Sequence, residues 1–235
     1  MNPKRSVLDR IISILLIPVG AAFTLSSSFL IPVSFRPYYY LHCFLLDIPG
    51  KSGYSYEDIK AGYDAVMDFI WLGRPFSTGP FPHSEEGASH FADCVPLFWL
   101  VLIVFLVTGA FLLAYLICSK KGWIKPLRFG PFSGIDIGSF ALWTLVLVVG
   151  IWALVDFDGL FVAFHHMFFP GKENWQFDGS TDPIIYALPE TFFACCAGFV
   201  LTMSLLIGGG FLTHTLITNA KRKKAHPRPK QDPPV

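Results

Sequence analysis

Four long apolar stretches run through the chain, separated by two segments in which apolar and polar residues mix. A helix of about 20 apolar residues crosses the roughly 30 Å hydrocarbon core of a membrane, and each stretch reaches that length. The pattern predicts spans at residues 11–33, 95–118, 137–156 and 189–217, with mixed segments at 36–93 and 157–188. The first stretch also fits a signal peptide, but it exceeds a typical signal core in length, so we predict a retained helix.

The first mixed segment contains a further helical pattern of its own. Ser55 and Asp58 resemble a capping box at the start of a helix. Apolar residues then recur at helical spacing, at Ile59, Tyr63, Val66, Met67 and Ile70. The pattern predicts an amphipathic helix, whose apolar stripe packs on the other helices or lies on the lipid surface.

The composition supports a membrane protein. Hydrophobic residues make up 53% of the chain, charged residues only 15%, and the mean hydropathy is +0.51. The predicted fold class is an all-α membrane protein, with four transmembrane helices and a helical extracytoplasmic domain formed by the 1–2 and 3–4 loops. We predict one integral membrane domain at 1–224 and a disordered, proline-rich tail at 225–235. The net charge of +1 and the absence of a basic stripe predict no nucleic-acid partner.

Basic residues predict the orientation of the four spans. They cluster near the N-terminus, in the loop at 120–128 and at 221–224. An even number of spans brings all three clusters to one face, and positive charge marks the cytoplasmic face. We therefore predict cytoplasmic termini in a plasma membrane, with the segments 36–93 and 157–188 outside.

Histidines flank two of the spans on the predicted outer side. His90 and Asp93 precede the second span, and His165 and His166 follow the third, so an antiparallel bundle allows them to meet. Imidazole exchanges a proton near neutral pH, which suits acid–base catalysis. Asp93 lies one helical turn after His90 and can orient it, or it can cap the second span, and both interpretations stay open. Adjacent helical side chains diverge by about 100°, so only one of the paired histidines points inward.

Other interpretations of the same residues rank lower. An aromatic belt at the membrane surface explains the rings around His165 without any chemistry. A zinc site of His90, Asp93 and His165 has suitable ligand types but no diagnostic spacing. A nucleophilic Cys94 is disfavoured because a thiol at the start of an apolar helix ionises poorly. Whether Cys43 and Cys94 form a disulfide stays open.

Three motifs together resemble the lipoprotein intramolecular transacylase family, four-span membrane proteins of Gram-positive bacteria. The motifs are His90–Asp93 before the second span, Phe164–Phe169 with Trp175 after the third, and Leu188–Phe193 at the start of the fourth. The family usually continues with Val-Lys after Asp93, whereas this chain has Cys94-Val95, so the role of a basic group at that point is open. The motif leaves the position of His166 free and therefore favours His165.

The resemblance implies an acyl migration within one substrate, a diacylglyceryl-modified lipoprotein embedded in membrane lipid. The sn-2 acyl chain would move from the glycerol oxygen to the α-amino group of the N-terminal cysteine, giving a lyso-form lipoprotein. No cofactor and no metal are expected. The alternatives are a metal-dependent membrane hydrolase and a non-catalytic envelope accessory or sensor protein.

The residues expected to serve this reaction fall into three groups. His90 and His165 share the acid–base steps, and Asp93 orients His90. Asn174 or the amides near Pro170-Gly171 are candidates for stabilising the oxyanion. The residues expected to support the site or line the substrate pocket are His166, Phe164, Phe168, Phe169, Asn174, Trp175 and Glu190.

Overall fold

A computed structural model describes residues 7–225 of the chain, and this part is helical with no strand. Its helices are α1 (Val7–Ser34), α2 (Arg36–Leu45), α3 (Ile48–Ser52), α4 (Tyr56–Leu72), α5 (Glu85–Lys120), α6 (Gly134–Val155), α7 (Phe157–Phe168), α8 (Ile184–Ala187) and α9 (Glu190–Ala225). The predicted all-α class is confirmed. The basic residues before position 7 and the predicted tail beyond Ala225 lie outside the described residues.

Four of the helices, α1, α5, α6 and α9, are long and apolar enough to cross a membrane. The helix α5 has 36 residues and is therefore roughly 54 Å long, which exceeds the hydrocarbon core. Its apolar segment at 95–118 is the C-terminal part of the helix. The first turns of α5, which carry His90, extend beyond that apolar segment.

The helix α1 lies at the centre of the bundle and packs against α5, α6 and α9. Its contact with α6 is close because Gly138 has no side chain, and a Cβ atom there would overlap the carbonyl oxygen of Ile17. Small residues allow such close approach between helices in membranes. A hydrogen bond of 3.2 Å between the hydroxyls of Ser204 and Ser28 joins α9 to α1.

The segments 35–84 and 156–189, here called the cap, lie at the end of the bundle where α1 and α6 end and α5 and α9 begin. The predicted amphipathic helix is α4. It starts after Ser55, whose hydroxyl accepts from the Asp58 N–H at 3.1 Å. Its five predicted apolar positions are buried, and the helix packs on α5 and α8. The stripe therefore faces other helices rather than the lipid surface.

Contacts within and between the two segments hold the cap together. The ring of Tyr39 in α2 stacks on Tyr63 in α4 with centroids 3.7 Å apart, and its hydroxyl donates to the Ala187 carbonyl at 2.5 Å. The Asp182 carboxylate accepts from the Ser84 N–H at 2.8 Å. The position of the start of α5 is thus tied to the segment that follows α7.

Candidate active site

His90 lies two turns into α5, where the start of the helix is well defined. Ser84 is the N-cap, and its hydroxyl accepts from the Gly87 N–H at 2.9 Å. The imidazole is only 8% exposed and lies among aromatic rings. The ring centroids of Phe169 and Phe177 are 5.0 and 5.5 Å from that of His90. An imidazole is thereby placed in an apolar environment.

His165 lies in the last turn of α7, which begins directly after α6. Asp156 separates the two helices and caps α7 by accepting from the Gly159 N–H at 2.9 Å. The His165 imidazole is 6% exposed, and its Nδ1–H donates to the Phe161 carbonyl at 2.7 Å. A carbonyl only accepts, so Nδ1 carries the hydrogen and Nε2 carries the free lone pair.

The ring of His90, at the start of α5, lies beside that of His165 in the cap, with centroids 5.7 Å apart and planes inclined by 37°. The chain topology predicts that the stretches around His90 and His165 meet, and they do. His166 is exposed and touches Trp175 edge-on, at 5.9 Å between centroids. Only one of the adjacent histidines points inward, as the divergence of helical side chains requires.

Burial controls the protonation of His165. Loss of solvent lowers its pKa from the ordinary value of 6.5, and the nearby His166 acts in the same direction. The hydrogen bond to Phe161 opposes the effect only in part. At neutral pH the His165 imidazole is therefore neutral, with a lone pair on Nε2 that can accept a proton.

Asp93 lies in the site, but its partners differ from the predicted one. Its Oδ1 accepts from Lys172 Nζ at 2.5 Å, and its Oδ2 accepts from Asn174 Nδ2 at 3.0 Å. Among the described residues, Nδ1 of His90 has no hydrogen-bond partner. No hydrogen bond joins Asp93 to His90, and the two groups interact only through their charges. The cap interpretation is wrong, because α5 begins at Glu85, well before Asp93.

Lys172 is a site residue that the sequence analysis missed. It follows α7 in the chain. It places a basic group beside Asp93, although this chain has no lysine in the two positions after Asp93. A signal was present, because Lys172 is the one Lys or Arg in the segment 157–188. Phe177, which contacts His90, was missed because one phenylalanine among 24 carries no distinguishing pattern.

The remaining predicted residues divide by position. Phe169 and Trp175 are buried against the histidines, whereas Phe164 and Phe168 are partly exposed on α7. The amide N–H groups of Asn174 are directed to Asp93 and Ser89, so these contacts do not support the oxyanion role. The carboxyl group of Glu190, at the start of α9, interacts with Asp158 rather than with either histidine.

The cysteines take no part in a disulfide. Cys43 is a free thiol in the core of the cap, and Cys94 is a free thiol with its Sγ atom 3.6 Å from Nε2 of His90. The proposed zinc ligands also fail to converge, because the Asp93 carboxylate is occupied by Lys172 and Asn174. Within residues 7–225, no three His, Cys, Asp or Glu side chains are grouped to hold a metal ion.

The fold and the site define an integral membrane protein of four spans with a buried histidine pair beneath a helical cap. Residues 11–193 match the family described as lipoprotein intramolecular transacylase Lit. The chain belongs to this family and is a transacylase. No curated protein sequence matches the chain.

Solved structures of the membrane-integral lipoprotein intramolecular transacylase Lit from Bacillus cereus are similar in fold. One, determined in meso, has 23% identity and a TM-score of 0.76, covering 93% of this chain and 98% of that chain. A variant with one histidine replaced by arginine has 21% identity and a TM-score of 0.73, covering 93% and 95%. A variant with a histidine replaced by alanine has 23% identity and a TM-score of 0.64, covering 93% and 96%.

Proposed function

We propose that this transacylase moves the sn-2 O-acyl chain of a diacylglyceryl-modified lipoprotein to the α-amino group of its N-terminal cysteine. The product is a lyso-form lipoprotein with an N-acylated cysteine. The observation that supports the proposal most is the neighbouring pair of buried imidazoles, His90 and His165, in a chain that belongs to a transacylase family.

The reaction needs one proton to cross the site. The α-ammonium group first gives up one proton to solvent. A bond then forms between the nitrogen of the neutral amine and the acyl carbon, the bond between that carbon and the glycerol oxygen breaks, and a proton moves from nitrogen to oxygen. The free lone pair on Nε2 of His165 suits it to accept the proton. His90, whose ring centroid is 5.7 Å from that of His165, takes up this proton and delivers it to the leaving glycerol oxygen, so that both imidazoles end neutral.

A single substrate that carries both reacting groups lowers the demands on the protein. The amine and the ester are linked, so holding them close makes the encounter effectively unimolecular. An α-amino group has a pKa of about 8, so its neutral form is reached at modest cost. Because the linked amine attacks the ester directly, no covalent enzyme nucleophile is required. Conversion of an ester to an amide is downhill, so no activated donor is required either.

The cap faces the outside of the cell in this proposal. The opposite end of the bundle carries three groups of basic residues, at Arg10, at 120–128 and at 221–224. Positive residues favour the cytoplasmic side. The apolar side chains of Phe164, Met167 and Phe168 are exposed on α7 beside His165, with Met167 72% exposed. This face contacts the outer leaflet, from which the acyl chains of a lipoprotein reach the histidines.

Mass spectrometry of a lipoprotein N-terminal peptide tests this function. Cells that express the chain should yield a cysteine with an amide-linked acyl chain and a monoacylglyceryl group, whereas cells without it should yield a diacylglyceryl cysteine. Unchanged diacylglyceryl cysteine in expressing cells, with the protein detected in the membrane, would contradict the proposal. In that case an accessory role or a hydrolase would have to be examined.

A further inference from the structure

The Asp93 carboxylate, three residues after His90 in α5, already holds a primary ammonium group. Lys172 Nζ lies 2.5 Å from its Oδ1, and Asn174 occupies its Oδ2. The α-ammonium group of an N-terminal cysteine is also a primary ammonium at neutral pH, since its pKa is about 8. The Lys172 head group and the reacting end of the substrate thus offer the same chemistry to the same carboxylate.

We infer that Asp93 and Asn174 form the binding subsite for the α-ammonium group of the substrate, and that Lys172 occupies this subsite until the substrate displaces it. The inference rests on the proposed function. It assigns Lys172 a competing role and gives Asp93 a substrate-binding role in place of the predicted orientation of His90.

Exchange of one ammonium group for the other is physically easy. The Lys172 side chain is 46% exposed and that of Asp93 is 22% exposed. Ion pairs of such exposure contribute little, because water and salt screen them. The lysine stem is flexible, so its head group moves into solvent without moving the backbone.

Asn174 completes the subsite. Its Oδ1 atom is buried and has no hydrogen-bond partner within residues 7–225. A buried amide oxygen without a donor carries a desolvation cost that a ligand N–H group removes. The Lys172 ammonium group on Oδ1 of Asp93 does not donate to this oxygen, so an α-ammonium group that satisfies both has to lie closer to Asn174 than the lysine does.

Displacement of Lys172 also affects the segment 169–177, which packs against the histidines. The Trp175 indole N–H donates to the Lys172 carbonyl at 3.0 Å, and the indole ring stacks on His165. The ion pair with Asp93 is therefore one of the contacts that hold the segment 169–177 against α5. Binding of the substrate ammonium group to Asp93 breaks the ion pair with Lys172. The segment 169–177 is then held less tightly beside His165, which the amine must reach.

Binding of unreactive peptides tests the inference without requiring turnover. The probes are two cysteine peptides with dialkylglyceryl ether chains, which cannot transfer an acyl group, one with a free α-amino group and one N-acetylated. Their affinities for the purified full chain in nanodiscs are compared for wild type, Asp93→Asn, Lys172→Met and Lys172→Arg. Lys51→Met serves as the control, because Lys51 is an exposed lysine elsewhere in the cap.

The expected results differ in sign between the variants. Wild type prefers the free amine, and Asp93→Asn loses that preference while it still binds the N-acetyl peptide. Lys172→Met strengthens free-amine binding by about two- to fivefold, because a competitor held by a weak ion pair is gone. Lys172→Arg and Lys51→Met keep the wild-type preference.

Two results would overturn the inference. One is that Asp93→Asn prefers the free-amine peptide over the N-acetyl peptide as strongly as wild type does. The other is unchanged or weaker free-amine binding in Lys172→Met, which remains decisive if Asp93→Asn does not fold. Failure of the proposed function is recognised separately, because it appears as no acyl transfer by wild type on the corresponding ester substrate, whatever the binding preference.

Discussion

The indole of Trp175 lies against the imidazole of His165, with ring centroids 4.5 Å apart and planes inclined by 25°. The segment after α7 therefore folds back over the histidine at the end of that helix. The indole excludes water from one face of the imidazole and limits rotation of the ring. Trp175 is a positioning residue in this arrangement, since it acts through His165.

Replacement of Trp175 should lower kcat without a matching change in KM. We expect Trp175→Ala to reduce kcat on the order of tenfold, because a misoriented base loses much of its advantage. Trp175→Phe keeps an aromatic face on His165 and should recover most of the activity. Steady-state kinetics in proteoliposomes measure both constants, and equal values for Trp175→Ala and wild type would contradict the role of the stack.

The histidine pair should tolerate no substitution that removes its proton chemistry. We expect His165→Gln and His90→Gln each to lower kcat by roughly 10² to 10⁴, the range of general acid–base catalysis. His214→Gln is the matched control, because His214 is exposed near the opposite end of α9. Full activity of both site variants, in protein with a wild-type melting temperature, would exclude the histidine mechanism.

The pH profile should report the buried state of His165. Burial lowers its pKa below 6.5. The His165 imidazole is therefore still mostly neutral at pH 6.5 and able to accept a proton. We expect kcat to be flat between pH 6.5 and 7.5 and to fall only at lower pH, as His165 becomes protonated. Trp175→Ala admits water, which raises this pKa and should move the acid limb upward. An acid limb in the wild type above pH 7 would contradict a buried, neutral His165.

The close packing of α1 on α6 should depend on the lack of a side chain at Gly138. A Cβ atom there meets the Ile17 carbonyl, so Gly138→Ala should lower the free energy of unfolding by about 1–3 kcal/mol. A Cβ atom at Gly198 in α9 meets no atom within 4 Å, so Gly198→Ala is the control. The two variants are compared by thermal unfolding in the same detergent. Equal midpoints would contradict the prediction, because they would show that α1 and α6 move apart at little cost.

Local pattern was enough to predict the large elements of this fold. A run of apolar residues long enough to span a membrane is a property of the sequence itself, and so is the helical spacing that marks α4. The short helix α2 was not predicted. It is held by contacts with distant residues, as when Arg36 pairs with Asp64 and Asp68 of α4. Such contacts exist only once the cap has folded.

The site shows the same division between local pattern and tertiary contact. Topology brought His90 and His165 together, but it did not predict the partner of Asp93. His90 and Asp93 are three residues apart in α5. His90 packs inward against Phe169, whereas Asp93 lies at the edge of the site and pairs with Lys172 in the segment after α7. Lys172 reaches it from 79 positions along the chain, a contact that helical spacing cannot predict.

A crossover experiment tests most directly whether the acyl chain passes straight from ester to amine within one lipoprotein. Two diacylglyceryl cysteine peptides of different mass, one with an isotope-labelled sn-2 chain, are mixed with the purified chain in proteoliposomes. Direct transfer predicts that every labelled amide stays on the peptide that brought the label, and that His165→Gln yields almost none. Labelled amide on the other peptide, or labelled acyl groups on the protein, would contradict direct transfer.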